Sequence, residues 1–298
     1  MKGLAVGEQS SVSRPILQLF SRSAGYLADI DSGSFIIEDI SGTTPSTVVS
    51  TTNLTATEKL ATGRYAITTG DTSAWDPGSH RVVVTYTLES GGVEYTQVIP
   101  FEVLTAVDWP TGMAYTGYLS SKLAQDDGYL ASTVTMAKVH RLLDQASKQV
   151  EHWTHRFFEP RYLEVRHNGQ NDPTLLFDHA IIALEDVWAI WESTTSTEDS
   201  YKYEQYLYKV FNRHLDGFLG EDDRDHPRIE LVSIDGTIVQ PEDYTWPFGT
   251  HNLLTKGVFG FTNPYVDPTG GRTGVGLTPH DIGVAVGALT IGTTPTPP

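Results

Sequence analysis

Residues 132–161, with the sequence STVTMAKVHRLLDQASKQVEHWTHRFFEPR, carry the strongest structural signal in this chain. The apolar side chains of this stretch recur at steps of three and four residues, which is the spacing of one face of an α-helix. The spacing predicts a long amphipathic helix whose apolar face forms a structural core. The expected core residues are Val139, Leu142, Leu143, Ala146, Val150, Trp153 and Phe157.

The two ends of this helix are also predicted by local chemistry. Ser132 or Thr133 is the expected N-cap, because a hydroxyl oxygen can accept a hydrogen bond from a free backbone N–H of the first turn. Pro160 is expected to end the helix, since a proline disfavours helical geometry in the residue before it. One such helix cannot bury its apolar face alone, so we expect it to pack on the strands that follow or on a neighbouring subunit.

Residues 13–106 follow a different pattern, with short runs rich in Val, Ile, Thr and Tyr that are separated by Gly, Pro, Asp and Ser. Alternation is clearest in RVVVTYTL, where Val82, Val84 and Tyr86 would share one face of a strand. Gly91 can supply the positive φ angle of a hairpin after that strand. The pattern predicts an antiparallel β-sandwich, and TGRYAIT and DPGSHRVVVTYTL resemble pieces of immunoglobulin-like modules.

The composition limits the possible functions. A net charge of −17 argues against binding nucleic acid through a clustered Lys/Arg surface. The chain has no cysteine, which excludes disulfides, thiolate metal sites and a cysteine nucleophile. No stretch approaches the ~20 apolar residues of a membrane-spanning helix, so we expect a soluble protein made in the cytosol.

A turn-rich segment marks the expected boundary between the two halves. Residues 108–110, Asp-Trp-Pro, cannot easily continue a strand or a helix. The expected division is an N-terminal arm at 1–12, an immunoglobulin-like β-sandwich at 13–106, a linker at 107–131, a second domain at 132–292 and a Pro/Thr tail at 293–298.

The second half contains four short motifs. They are a helix that ends in W-x-x-R-F-F-x-P-R, a strand that ends in L-L-F-D, the stretch G-V-F-G-F and the segment T-P-x-D-I. In order and spacing this set resembles the head-tail connector (adaptor) proteins of long-tailed bacteriophages, over about residues 117–292. Beyond the helix core, the residues that carry the resemblance are Arg156, Phe158, Pro160, Gly257, Phe259, Gly260 and Phe261.

The resemblance implies both a fold and a function. The implied fold class is α+β, with the sandwich followed by an adaptor-type helical bundle that has inserted β-strands. The implied function is that of a structural virion protein and not an enzyme, with no metal and no other cofactor. The protein would form a homo-oligomeric neck ring, expected to be a dodecamer, that joins the portal of the capsid to the tail.

The resemblance also implies partners and a location. The ring would contact the portal protein on one side and a stopper or tail-terminator protein on the other, and DNA would pass through its channel without specific binding. The segment expected to contact the portal includes Thr278, Pro279, Asp281 and Ile282. The expected location is the virion neck, after synthesis in the bacterial host cytoplasm and without a membrane partner.

The charge distribution is compatible with a DNA channel. Residues 1–105 contain six basic and eleven acidic residues, and the remainder contains 14 and 26, so most of the acidic excess lies in the second half. An acidic wall repels phosphate and lets DNA slide. Ordinary solubility is the alternative explanation for these charges.

Other interpretations stay open at this point. His152 and His155 are spaced so that they could meet on a helix, but no HExxH pattern accompanies them. The acidic residues 216–225 lack the spacing of an EF-hand and predict a solvated loop. The alternative functions are a stopper or tail-completion neck protein, and a carbohydrate-binding virion protein that acts through its N-terminal sandwich.

Overall fold

The computed structural model describes residues 2–8, 17–23, 26–105, 109, 115–128, 134–192, 198–211, 227–232, 245–260 and 265–266. The strands are β1 (Lys2–Ala5), β2 (Leu17–Phe20), β3 (Arg22–Ser23), β4 (Tyr26–Leu27), β5 (Ser32–Asp39), β6 (Ser46–Asn53), β7 (Lys59–Ala61), β8 (Arg64–Ile67), β9 (Gly78–Thr87), β10 (Glu94–Leu104), β11 (Arg161–Gly169), β12 (Thr174–Leu176), β13 (Ile181–Glu192), β14 (Glu198–Tyr203), β15 (Tyr208–Phe211), β16 (Arg228–Leu231), β17 (Gly249–Phe259) and β18 (Tyr265–Val266). The α-helices are α1 (Ser121–Asp126) and α2 (Met136–Thr154), and a 3₁₀ turn spans Gln205–Leu207.

The fold is mostly β, and the predicted α+β class with a helical bundle is wrong. The described residues contain only two α-helices, and α1 is only six residues long. The resemblance of the short motifs to adaptor proteins implied a helical bundle. In the structure, the chain after α2 instead forms strands that pair over long stretches. Two helices of such unequal length cannot enclose a bundle core.

The largest sheet of the N-terminal half has the order β1-β10-β9-β5-β6, with β18 also paired to β10. Strands β9 and β10 form the predicted hairpin, in which Gly91 has a φ of 68°. Val82, Val84 and Tyr86 of β9 are buried, so the alternating face is confirmed. The β9–β10 hairpin therefore supplies two of the inner strands of this sheet.

A three-stranded sheet of order β2-β8-β7 packs across the large sheet. Leu17, Leu19 and Ile67 of the small sheet share one buried cluster with Phe35 and Phe101 of the large sheet. Strand β1 runs parallel to β10, so this sandwich is not wholly antiparallel as predicted. The shared apolar cluster holds the two layers together.

The second half contains two further sheets. The larger has the order β11-β17-β13-β4-β3, with β14 paired to β13, and the smaller has the order β12-β16-β15. Phe177, Ile229, Tyr208 and Phe259 belong to one buried cluster that fills the space between them. Strand β12 lies where the L-L-F-D motif predicted a strand.

The N-terminal half contributes β3 and β4 to the sheet of the second half. Tyr26 of β4 lies opposite Leu184 of β13, and its hydroxyl donates to the backbone oxygens of Tyr208 at 2.8 Å and Gln205 at 3.2 Å. Phe20 and other residues of this region join a buried cluster with β13 and β17. The division near residue 107 stays a prediction, and the two halves share a sheet.

Candidate interaction surface on helix α2

Helix α2 begins and ends at residues that differ from those predicted. Thr135 is the N-cap, and its side chain accepts a hydrogen bond from the backbone N–H of Lys138. His155 ends the helix in a left-handed conformation with a φ of 52°. The predicted caps Ser132 and Thr133 lie outside the described residues, and Pro160 lies beyond the end of the helix.

The buried face of α2 is polar and is not the face that the sequence predicted. Its buried residues are Val139, His140, Asp144 and Ser147. The predicted core is therefore correct for Val139, and Leu143 is half-buried. The other four predicted core residues of the helix, Leu142, Ala146, Val150 and Trp153, are exposed in the single chain and do not pack on its strands.

These four exposed side chains form the apolar stripe of α2. They are spaced four, four and three residues apart, so they lie along one side of the helix. Trp153 is 69% exposed and Leu142 is 49% exposed. Large apolar side chains that line up in contact with solvent are typical of a surface that meets another protein.

A buried polar network holds α2 to the N-terminal sandwich. Glu102 of β10 accepts hydrogen bonds from Ser79 Oγ at 2.8 Å, from Ser121 Oγ at 2.7 Å and from Ser121 N at 3.0 Å. His140 Nε2 of α2 lies 3.0 Å from Glu102 Oε2. The network therefore joins β9, β10, α1 and α2 at one buried carboxylate.

The electrostatics of this network favour the ionised carboxylate. Burial raises the pKa of Glu102. The hydrogen bond and the charge interaction with His140, together with the hydrogen bonds from Ser121, outweigh this effect and hold the pKa below its usual value. The pKa of Tyr115, whose ring packs edge-on against His140, is raised well above its usual value, chiefly by burial and then by Glu102. The phenol is therefore neutral beside the ionised Glu102.

The segment before α1 docks the polar face of α2. The backbone N–H of Thr116 donates to Asp144 Oδ1 at 2.8 Å, and that of Tyr118 donates to Ser147 Oγ at 3.0 Å. The Tyr118 hydroxyl donates to Glu151. These bonds satisfy Asp144, Ser147 and Glu151 on the inner side of α2, which lowers the cost of burying them. The Nδ1 atom of His140 is buried without a hydrogen-bond partner among the described residues.

The motif residues that follow α2 lie in the segment between the helix and β11. Phe157 is half-buried against the core of the second half, with the Arg161 guanidinium 4.8 Å from the centre of its ring. Phe158 packs edge-on against Tyr118, and its backbone N–H donates to the Tyr118 hydroxyl. Arg156 is exposed. Phe157 thus joins the core from outside the helix.

The structure brings two of the sequence motifs together. Arg161 and Phe259 are opposite each other in the pairing of β11 with β17. Gly260 has a φ of 150°, and a Cβ atom there would lie 2.6 Å from the backbone oxygen of Glu159, which precedes Pro160. The space at Gly257 is even smaller, since a Cβ atom there would lie 2.4 Å from the backbone oxygen of Ala183. The glycines permit this close approach of the strands.

Several predicted residues lie outside the described part of the chain. They are Phe261 and the expected portal-contacting residues Thr278, Pro279, Asp281 and Ile282. Within the described residues, no group of three or more His, Cys, Asp or Glu side chains could hold a metal ion. The rings of His152 and His155 lie 6.2 Å apart as a pair. No described helix has the length and apolarity needed to cross a membrane.

The comparisons with known proteins leave the family open. No protein-family model matches the chain, and no curated protein matches it.

Sequence reasoning missed the Glu102–His140 network. Its one local signal is Glu102 itself, a carboxylate within the apolar run Phe101–Leu104 of β10. An acidic residue in such a run is rarely buried without a partner. The partner His140 lies 38 residues away and shares no motif with Glu102.

Proposed function

We propose that this chain is a structural, non-catalytic subunit of a bacteriophage neck, where it forms a ring between portal and tail. The observation that supports this proposal best is the apolar stripe of α2, the residues Leu142, Ala146, Val150 and Trp153. A ring needs each subunit to present apolar surface to its neighbour. The motif residues of β11 and β17, which carry the resemblance to adaptors, pack directly beyond the end of this helix.

The occupant of the stripe in this proposal is a second copy of the chain. A regularly spaced set of apolar side chains that ends in one large Trp suits a protein interface, since Trp is enriched among residues that dominate binding energy. In a closed ring of identical copies, the same contact would repeat between every pair of neighbouring subunits. The portal, the stopper and the passing DNA would be the other partners of the ring.

The experiment compares Trp153→Ser with Trp191→Ser in the full chain. Trp191 is also exposed, at 48%, but lies on β13 and outside the stripe. We expect both variants to fold, and only Trp153→Ser to lose chemical cross-links between copies in purified phage particles and to leave DNA-filled heads without tails. Cross-links to the portal would separate an adaptor from a stopper.

Two results would overturn the proposal. One is the absence of this chain from purified particles that carry its genome. The other is an equal level of self-association in wild type and Trp153→Ser. If residues of the N-terminal sandwich bound glycans and the stripe had no effect on assembly, the carbohydrate-binding alternative would replace it.

A further inference from the structure

A row of aromatic side chains runs from the core of the second half to its surface along strands β13 and β14. Tyr203 and Tyr201 of β14 lie opposite Val187 and Ala189 of β13, which are core residues. Trp191 is two residues beyond Ala189, so it shares the same face of the sheet, because alternate residues of a strand point the same way. We call Trp191, Tyr201, Tyr203 and the neighbouring Trp246 the aromatic row.

The inner end of the aromatic row is fixed in the core, and its outer end meets solvent. Trp246 is buried, and its Nε1 donates to the backbone oxygen of Pro173 at 2.8 Å. The Tyr203 ring packs edge-on with the rings of Trp246 at 4.8 Å and Tyr201 at 5.1 Å, measured between ring centres. Tyr201 and Trp191 are 49% and 48% exposed. Because Tyr201 already packs on a fixed neighbour, a ligand that binds to it orders little further side chain.

The charged positions beside the outer end of the row favour an uncharged ligand. Asp199 lies opposite Trp191 in the strand pairing, and the exposed Glu204 directly follows β14. An acidic segment placed here would meet like charge. Lys202, the cation of β14, belongs to the other face of the sheet and forms an ion pair with Asp186. The exposed rings therefore suit a neutral ligand that offers apolar surface to them.

The chain itself contains a segment of this chemistry. Residues 293–298, with the sequence TTPTPP, have no charged side chain, and Pro295 and Pro298 are three residues apart. Such a sequence favours the polyproline II helix, in which every third residue points the same way. Aromatic-lined sites recognise this P-x-x-P spacing, because proline rings pack on aromatic rings and the helix is ordered before it binds. Residues 293–298 lie outside the described part of the chain.

The length of chain before residues 293–298 is sufficient for them to reach the aromatic row. Residues 267–292 connect them to Val266, the last described residue, and a connection of this length spans roughly 90 Å at full extension. A folded chain of 298 residues is only roughly 50 Å across. A segment tethered to its own site competes at an effective concentration that is commonly millimolar. The segment of the same copy is therefore favoured over that of a second copy.

We propose that the aromatic row binds residues 293–298 of the same chain as a polyproline II helix. Pro295 and Pro298 pack on the exposed rings of Tyr201 and Trp191. The bound segment covers aromatic surface that the described chain leaves in contact with solvent. This site is independent of the proposed neck assembly, because it lies on β13 and β14 and does not use the apolar stripe of α2.

The first test follows Trp191 by fluorine NMR of the full chain labelled with 5-fluorotryptophan. Trp191→Phe assigns its signal, and Trp75 of the N-terminal sandwich, which stacks on His80, is the internal reference. We expect the double variant Pro295→Ala/Pro298→Ala to shift the Trp191 signal and to leave the Trp75 signal unchanged.

A matched double variant is the control for this shift. Pro268→Ala/Pro279→Ala changes two prolines of the same region that lie outside residues 293–298, and it should leave the Trp191 signal at its wild-type position. The wild-type signal should also stay unchanged on about tenfold dilution, because the bound segment belongs to the same copy. A change on dilution would overturn that assignment and indicate exchange between copies.

Peptides added to the Pro295→Ala/Pro298→Ala protein identify the chemistry of the site. The amide of Ac-TTPTPP should return the Trp191 signal to its wild-type position and bind about tenfold or more tightly than the amide of Ac-TTATAA, which lacks the proline rings. The amide of Ac-TTVTVV favours a β-strand that can pair with the outer edge of β14, and we expect it to bind no better than the alanine peptide. In the same protein, Tyr201→Ser should weaken binding of the proline peptide about tenfold, whereas Tyr206→Ser, at an equally exposed residue outside the row, should not.

Several results would overturn the proposal. They are an identical Trp191 signal in wild type and the double proline variant, equal binding of the three peptides, and unchanged affinity in Tyr201→Ser. Tighter binding of the valine peptide would show strand pairing instead, and tighter binding of cellohexaose would show a sugar site. Trp153→Ser should leave the Trp191 signal unchanged, so the neck assembly and this site fail or succeed separately.

Discussion

His140 Nε2 and Glu102 Oε2 lie 3.0 Å apart, and this contact joins helix α2 to the sheet of the N-terminal sandwich. Both side chains are almost completely buried, at 1% and 0% exposure. The same carboxylate also accepts from Ser79 and from Ser121. One buried acid therefore sets the position of the helix that carries the proposed assembly surface.

Removal of this carboxylate should be strongly destabilising. We expect Glu102→Ala to lower the free energy of unfolding by about 3–5 kcal/mol, because it leaves His140 and two hydroxyls buried without their acceptor. Glu164→Ala is the control, since Glu164 pairs with Lys256 at 3.0 Å on the surface and should cost less than about 1 kcal/mol. Urea unfolding measures both, and similar losses would contradict the central role of Glu102.

The stability should fall between pH 6.5 and about 4 because of His167. Burial lowers the pKa of His167 from 6.5 to about 4, so the folded protein keeps this ring neutral while the unfolded chain protonates it. The unfolded state then binds more protons, and stability is lost as the pH falls through this window, by at most about 1.4 kcal/mol per pH unit.

The His167→Gln variant tests this dependence. Gln cannot protonate but can still reach Thr255, whose hydroxyl lies 2.8 Å from His167 Nε2. The variant should lose less stability than wild type between pH 6.5 and 4 when unfolding is followed by urea titration at each pH. Parallel curves for the two proteins would rule out His167 as the source.

Gly257 should not tolerate a side chain. A Cβ atom there would lie 2.4 Å from the Ala183 oxygen of the neighbouring strand β13, so Gly257→Ala must push two paired strands apart. We expect a loss of roughly 1–3 kcal/mol or more. Gly42→Ala is the control, because its nearest neighbour would be 3.6 Å away. Thermal unfolding should separate the two variants, and equal melting temperatures would contradict the close approach of β13 and β17.

The two halves should unfold together. Tyr26 carries the connection, since its hydroxyl donates to the Tyr208 backbone oxygen at 2.8 Å and its strand extends the sheet of the second half. Scanning calorimetry should show one transition for wild type. Tyr26→Phe should lower stability by about 1 kcal/mol through the lost hydrogen bond. Two well-separated transitions in wild type would show that the division near residue 107 also separates two folding units.

The sequence alone determined much of the local structure. Alternation in RVVVTYTL predicted the buried face of β9, and the glycines after it predicted the turn into β10. The helical spacing predicted α2 and placed Val139 in the core. These features depend on neighbours within a few residues, because strand alternation, helix periodicity and turn angles are local properties of the backbone.

Only the tertiary structure decided which face of α2 is buried. Apolar spacing predicted that Leu142, Val150 and Trp153 would face inward, but the helix turns Asp144 and Ser147 inward instead. Asp144 and Ser147 find partners in the segment before α1, and the neighbouring His140 finds one at Glu102. These partners are distant in sequence and come close only after the sandwich has folded. Since satisfied hydrogen bonds remove the cost of burying polar side chains, the apolar stripe could remain outside.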